Sequence, residues 1–266
     1  MKVNKLLTVF KFAVSFIIIY LIIKNINITE LKQILVNIDL FFLVISISFS
    51  ITALIFISSR WHLLLKQLFI THALQHIIKV TYIGYFVGQV MPTSVGGDLV
   101  RGYLVWDKTK MTKIIISLVT DRVLSLFVII LFISLFSIPL IEEFIQLSSL
   151  IEEYSIYFII LVMFTVFILS KYRNHIHQLI RKIIIFRFKD FIKIINVTIL
   201  GHLAMIASAY FLSIALGIDS NFLIWVTVIP VVVLFTALPI SINGWGIRDI
   251  FMIIFLGISA FQMWKL

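Results

Sequence analysis

The sequence predicts an all-α, polytopic membrane bundle containing two broken or re-entrant helices arranged as inverted-topology repeats. Three observations lead there. The chain of 266 residues is 62% hydrophobic and only 13% charged, with a mean hydropathy of +1.16, more apolar sequence than a soluble core of this size can bury. Several apolar runs reach the roughly 20 residues that a helix rising about 1.5 Å per residue needs to cross a hydrocarbon layer about 30 Å thick. One motif is also written twice. Pro92-Thr-Ser94-Val95-Gly96-Gly97-Asp98-Leu-Val-Arg101 and Pro239-Ile-Ser241-Ile242-Asn-Gly244-Trp-Gly246-Ile-Arg248 both read Pro-x-Ser-(Val/Ile)-x-Gly-x-x-x-Arg.

In chain order, the first predicted membrane segment is 6–23. Lys2, Lys5 and Lys11 give this stretch the look of a signal peptide, but no small-x-small cleavage pattern follows, so it reads as an uncleaved helix. Ile28, Leu31, Ile34, Leu35 and Ile38 recur at helical spacing and predict an amphipathic interfacial helix over 28–39. Further spans are placed near 40–59, 114–138, 154–170, 194–217 and 222–238. The two motif-bearing segments, 77–105 and 239–264, are predicted to be interrupted. No stretch remains for a separate soluble domain, so residues 1–266 are taken as one transmembrane domain.

Orientation follows from the loops. Residues 171–193 carry Lys171, Arg173, Arg181, Lys182, Arg187, Lys189 and Lys193 against Asp190, whereas 141–153 carry Glu142, Glu143, Glu152 and Glu153 without a base. The first loop is expected in the cytoplasm and the second outside. The N-terminus, the 60–79 linker with Arg60, Lys66 and Lys79, and the 107–113 linker then all fall inside, which makes 77–105 a re-entrant hairpin. The second motif is approached from the opposite side. Broken helices meeting near the midplane in opposite senses are what expose one site alternately to either face.

The motifs place helix breakers and a permanent cation at membrane depth. Irregular backbone is tolerated there only in protein or beside a wet cavity, because lipid offers no partners for freed N–H and C=O groups. Pro92 and Pro239 end one half-helix, while Gly96, Gly97, Gly244 and Gly246 permit positive φ or close approach. The fresh helix N-terminus beyond each break attracts anions. Arg101 and Arg248 add planar guanidinium forks suited to phosphate oxygens. Asp98 and Asp249 can hold those guanidinium groups, meet a cationic headgroup or take part in proton coupling, and the sequence does not choose. Asp121-Arg122 lies within another apolar run, either facing the interior or sitting near the cytoplasmic end with Arg122 snorkelling. Tyr82, Tyr85, Gln89 and Ser94 are candidate lining residues.

Other chemistries find little footing. The formal net charge of +10 sits in loops between apolar runs, which is a topology bias toward anionic headgroups and not a nucleic-acid footprint. Cysteine is absent, so no disulfide, thiolate nucleophile or cysteine metal site exists. His72 and His76 are four apart but no nearby acid completes a metal set. His175, His177 and His202 read as surface or helix-contact residues. No Gly-x-Ser-x-Gly, P-loop or His-Glu-x-x-His motif occurs, so no catalytic residue is named and no metal or other cofactor is expected.

The run Gln89–Arg101, then Thr120-Asp121-Arg122, then Leu238–Asp249 resembles, in order and over essentially the whole chain, the lysylphosphatidylglycerol synthase transmembrane-region family. The resemblance implies a flippase-like bundle that moves phospholipid, with Asp98, Arg101, Asp121, Arg122 and Arg248 as its polar site. Members fused to a synthase domain flip the aminoacylated lipid, and that soluble domain is lacking here. Asp249 stands where the family more often has Glu. The chain stops at Phe261–Leu266 where the family usually continues, so a truncation that weakens the packing of the second broken helix is expected.

These readings converge on a multi-pass protein of the inner (cytoplasmic) membrane, not an enzyme. It would bind an anionic phospholipid or lipid-linked headgroup and assist its passage between leaflets, alone, as a homo-oligomer or with a lipid-modifying enzyme. The rivals are a membrane transferase using a polyprenyl-linked substrate, whose only external carboxylates are Glu142, Glu143, Glu152 and Glu153, and a non-catalytic membrane subunit.

Overall fold

The computed structural model describes residues 28–89, 91, 95–136, 188–218 and 221–236, together with Tyr20, Lys24, Arg248, Asp249 and Met252. The described residues form helices α1 (Ile28–Val36), α2 (Leu40–Gln67), α3 (Leu74–Gly88), α4 (Gly96–Leu104), α5 (Met111–Phe136), α6 (Phe188–Ala215) and α7 (Phe222–Thr236), with no strand among them. The predicted spans 6–23 and 154–170, most of 239–264, the acidic 141–153 loop and His175 and His177 lie outside the described residues.

Among the described residues, three helices are long and apolar enough to cross a membrane: Leu40–Gln67, Met111–Phe136 and Lys189–Ala215. Each matches a span placed from the sequence, but α2 runs eight residues beyond the predicted end at 59. The cause is Arg60. A cation ordinarily closes an apolar window, whereas here it is buried at 4% exposure in mid-helix because a carboxylate from α5 neutralises it.

Asp39 caps α2, its Oδ1 accepting from the Phe41 and Phe42 amides at 2.9 and 3.3 Å, which satisfies donors that a helix start leaves open. The Asp39 amide in turn donates to the Ala215 carbonyl at 2.9 Å, fixing the start of α2 to the end of α6. The two helices then pack along their length. Ser46 Oγ donates to the Ser208 carbonyl at 2.8 Å and Ser208 Oγ to the Ser46 carbonyl at 2.9 Å. Phe42 and Phe49 stack on Phe211, and Gly201 lets α6 approach Phe56. Small and hydroxylated residues at a helix pair are the usual means of close approach where lipid removes the hydrophobic drive.

The predicted interrupted segment 77–105 contains α3, which ends at Gly88, and α4, which begins at Gly96. At 15 and 9 residues, the helices are about 22 and 13 Å long, so neither spans the hydrocarbon alone. They fold back on each other at glycines. A Cβ on Gly97 would lie 2.6 Å from the Gly84 carbonyl oxygen, and one on Gly88 would lie 3.3 Å from Gly97 Cα. Side-by-side packing makes this a hairpin, as the loop charges predict. Gly96 and Gly97 are used for close approach, because neither has positive φ.

Apolar clusters hold the rest. Trp61, Leu65, Ile70, Ile77, Val80, Val105 and Ile114 join α2, α3 and the start of α5. Val128, Phe132, Ile206, Trp225, Val226 and Ile229 join α5, α6 and α7. The helix expected over 28–39 is present as α1, which ends at Val36 and leaves Ile38 outside it; Ile34, Leu35 and Val36 are exposed.

Candidate functional site

The site is assembled around α4. Asp98 and Arg101 are three residues apart, so both fall on one face of this short helix, and both are buried, at 8% and 5% exposure. Arg101 fits beneath Gly84 of α3, where the missing side chain leaves room for its Cγ and Cδ. Its guanidinium lies over the Trp61 ring, 4.8 Å from the centroid, a favourable stacking geometry. Trp61 is itself anchored, its indole N–H donating to Ser117 Oγ at 3.1 Å while Ser117 donates to the Ile114 carbonyl at 2.7 Å.

Two carboxylates link three arginines. Asp121, at 3% exposure and within a turn of the midpoint of α5, accepts from Arg60 Nε at 2.5 Å and from Arg101 Nη2 at 3.3 Å. Asp98 accepts from the same Arg101 Nη2 and, through its other oxygen, from Arg122 Nε. The chain of charge therefore runs Arg60, Asp121, Arg101, Asp98, Arg122. Arg101 Nη1 is buried without a hydrogen-bond partner among the described residues, a state that costs free energy unless something else accepts from it.

A cavity of about 370 Å³ opens on this cluster. All five charged residues line it, together with Tyr85, Gln89, Gly84, Gly88 and Gly97, and Arg248 from the second motif lines it as well. Arg248 Nε pairs with Asp249 Oδ1 at 3.3 Å. The cavity thus gathers residues from both motifs and from the Asp121-Arg122 pair. Of the two readings of that pair, the interior one holds: Asp121 faces the bundle, and Arg122, although its side chain is 40% exposed, is tied to Asp98 beside the cavity.

Not every candidate arrives there. Tyr82 is exposed and does not line the cavity. Gly96 packs against Met91 instead. Pro92, Ser94, Pro239, Ser241, Gly244 and Gly246 lie outside the described residues. The N-terminal turn of α4 carries its own anion, Asp98, so the dipole there is already complemented. The His72 and His76 rings stand 5.3 Å apart, and burial, reinforced by His76, holds the His72 imidazole below its ordinary range. No group of three metal-ligating side chains occurs among the described residues.

Four participants escaped the sequence reading. Arg60 reads in the sequence as part of a cytoplasmic linker, and Trp61 beside it carries no signal of its own. Gly84 and Gly88 form a Gly-x-x-x-Gly pattern, a signal for close helix approach that was available in the text.

Comparison with known proteins returns one finding. The family model described as Lysylphosphatidylglycerol synthase TM region matches residues 8–261. No curated protein and no solved structure matches the chain.

Proposed function

The chain belongs to the lysylphosphatidylglycerol synthase TM-region family and is an integral membrane protein; from that premise we propose that it binds an anionic phospholipid or lipid-linked headgroup at the arginine–aspartate cluster and assists its movement between leaflets. One observation carries the reading: Arg101, buried inside the bundle with Nη1 unpartnered among the described residues, lines a cavity together with Arg60, Arg122 and Arg248. A guanidinium fork suits a phosphate oxygen, and a small turn of the Arg101 side chain toward the cavity would give Nη1 the acceptor it lacks. The five-residue cluster holds three cations and two carboxylates, so a headgroup anion offsets its excess charge.

Movement between leaflets follows from where the residues come from. Arg101 sits on the short helix α4, and Arg248 belongs to a repeat of the same motif that the loop charges predict to be approached in the opposite sense, the arrangement used by alternating-access transporters. The reading is of a transport-type protein and not an enzyme, in the cytoplasmic membrane with its N-terminus inside. The lipid is the partner it requires, and a second copy or a lipid-modifying enzyme is compatible with it.

Leaflet exchange of a fluorescent phosphatidylglycerol in proteoliposomes, read by dithionite quenching, tests the proposal. The native chain is expected to exchange the lipid and Arg101→Ala to lose at least tenfold in rate. Equal exchange by both, or none above empty vesicles, would overturn it.

A further inference from the structure

We infer that the bundle contains a second subsite, for a flexible aliphatic chain, joined to the charged cavity; the inference rests on reading that cavity as a headgroup site. A further cavity of about 230 Å³ lies among α2, α3, α5, α6 and α7. It shares Arg60, Tyr85, Ser125 and Val233 with the charged cavity, so the two lie side by side with these four residues between them. Its remaining lining is Ile57, Val197, Thr198, Gly201, His202 and Met205.

Water suits this space poorly. A volume of this size would take about eight waters at roughly 30 Å³ each, and each needs two to four polar partners. The polar lining is mostly committed elsewhere. Thr198 Oγ1 donates to the Ile194 carbonyl at 2.7 Å, His202 Nε2 and Ser125 Oγ are paired at 3.1 Å, and Arg60 Nε is engaged by Asp121 at 2.5 Å. What remains is the apolar surface of Ile57, Val197, Met205 and Val233, with the Arg60 guanidinium and the Tyr85 hydroxyl on the side shared with the charged cavity. A methylene chain fills such a surface with a gain per buried CH₂, whereas a file of water does not.

The occupant is the tail of the molecule whose anion meets Arg101. Tyr85 marks the junction: it lines both cavities, its ring offering apolar contact and its hydroxyl a polar tip. A ligand bridging the two has an anionic group at one end and a hydrocarbon chain at the other. Acyl lipids and polyprenyl phosphates share this chemistry, and they differ in whether the chain is straight or branched.

Binding of inorganic phosphate, butyl phosphate, decyl phosphate and farnesyl phosphate to the purified full chain in a neutral detergent would test the subsite, using the native chain, Val197→Phe and Val197→Ala. Native affinity is expected to rise from inorganic through butyl to decyl phosphate, by up to about fourfold for each methylene seated. Val197→Phe, which fills the cavity, should lose at least tenfold in decyl phosphate affinity and keep its affinity for inorganic phosphate. Should Val197→Phe not fold, Val197→Ala enlarges the same space and should shift the preference toward longer chains. Tighter binding of decyl than farnesyl phosphate assigns an acyl lipid; the reverse assigns a polyprenyl one. The same chain-length dependence in every folded variant would overturn the subsite. Failure of the headgroup reading looks different: inorganic phosphate would not bind the native chain, or would bind Arg101→Ala equally well.

Discussion

Asp121 holds two guanidinium groups that approach from different helices, Arg60 of α2 and Arg101 of α4, with almost no solvent to share the charge. Removing one member of a buried ionic set is far more costly than the set is worth, because the remaining charges stay buried. Asp121→Asn is therefore expected to lower stability by about 3–5 kcal/mol, measured as reversible unfolding in mixed micelles. A loss under about 1 kcal/mol would show that water reaches the cluster freely. Gly84 makes a different kind of demand. An added Cβ would lie 2.9 Å from the Gly97 carbonyl oxygen and in the path of Arg101, and backbone cannot yield as a side chain can. Gly84→Ala is expected to cost about 1–3 kcal/mol and to displace Arg101, weakening phosphate binding. Gly102→Ala is the control, since its Cβ would meet only Leu118 Cδ1 at 3.1 Å and Ile114 Cγ2 at 3.7 Å. Equal effects of the two would refute the account.

Two helices end in the same way with different residues. At the end of α6, Gly217 has φ +74°, with the Gly217 amide on the Ile214 carbonyl at 2.9 Å and the Ile218 amide on the Ser213 carbonyl at 2.9 Å. At the end of α2, Phe69 has φ +60°, its amide on the Lys66 carbonyl at 3.1 Å and the Ile70 amide on the Leu65 carbonyl at 2.9 Å. Both are Schellman closures. In the second, Ile70 and Leu65 bury together in one apolar cluster, and that contact keeps a phenylalanine in a left-handed conformation costing about 1–2 kcal/mol. Phe69 is itself largely exposed, so little packing is lost on removing it. Phe69→Gly should stabilise the protein by about 1 kcal/mol, and Gly217→Ala, which meets no atom within 4 Å, should destabilise it by a similar amount through backbone strain alone. Thermal unfolding midpoints moving the other way in both would discard the motif assignment. Gly217 followed by Ile218 is readable as a helix stop in sequence; Phe69 is not, because its conformation is imposed by Ile70 reaching the core.

At the scale of the molecule, the hairpin of α3 and α4 decides the topology. If it enters and leaves on one face, the residues before α3 and after α4 share a compartment. The chain has no cysteine, so single cysteines at the exposed Lys66 and Lys108 positions can be read without background. Both are expected to react with an impermeant maleimide only when the cytoplasmic face is open, whereas labelling from opposite faces would make α3 and α4 one continuous crossing. The architecture was legible to this level because hairpin and spans are properties of local text: apolar run length, the break at Pro92 to Gly97, and lysines on either side. The candidate site was legible in part. Asp98, Arg101, Asp121, Arg122 and Arg248 stand out as charges in apolar surroundings, and the cavity gathers all five. Arg60 did not stand out, because an arginine near the end of an apolar window looks like a loop residue.

The sequence by itself determined that this is a membrane protein of helices, that its first repeated motif breaks a helix, and, Arg60 apart, which ionisable residues of the cluster sit where lipid would penalise them. Those are additive, short-range quantities: hydropathy over a window, backbone restriction at proline, freedom at glycine. The tertiary structure decided which charges meet. Arg60 and Asp121 are 61 positions apart, and Arg101 reaches both Asp121 and Trp61 only because Gly84 and Gly97 let two helix backbones approach. The cost of a buried charge is fixed by its partner and not by its neighbours in the chain, so helix length, interior direction and the Arg101 nitrogen left unpartnered among the described residues emerge only once the helices are packed.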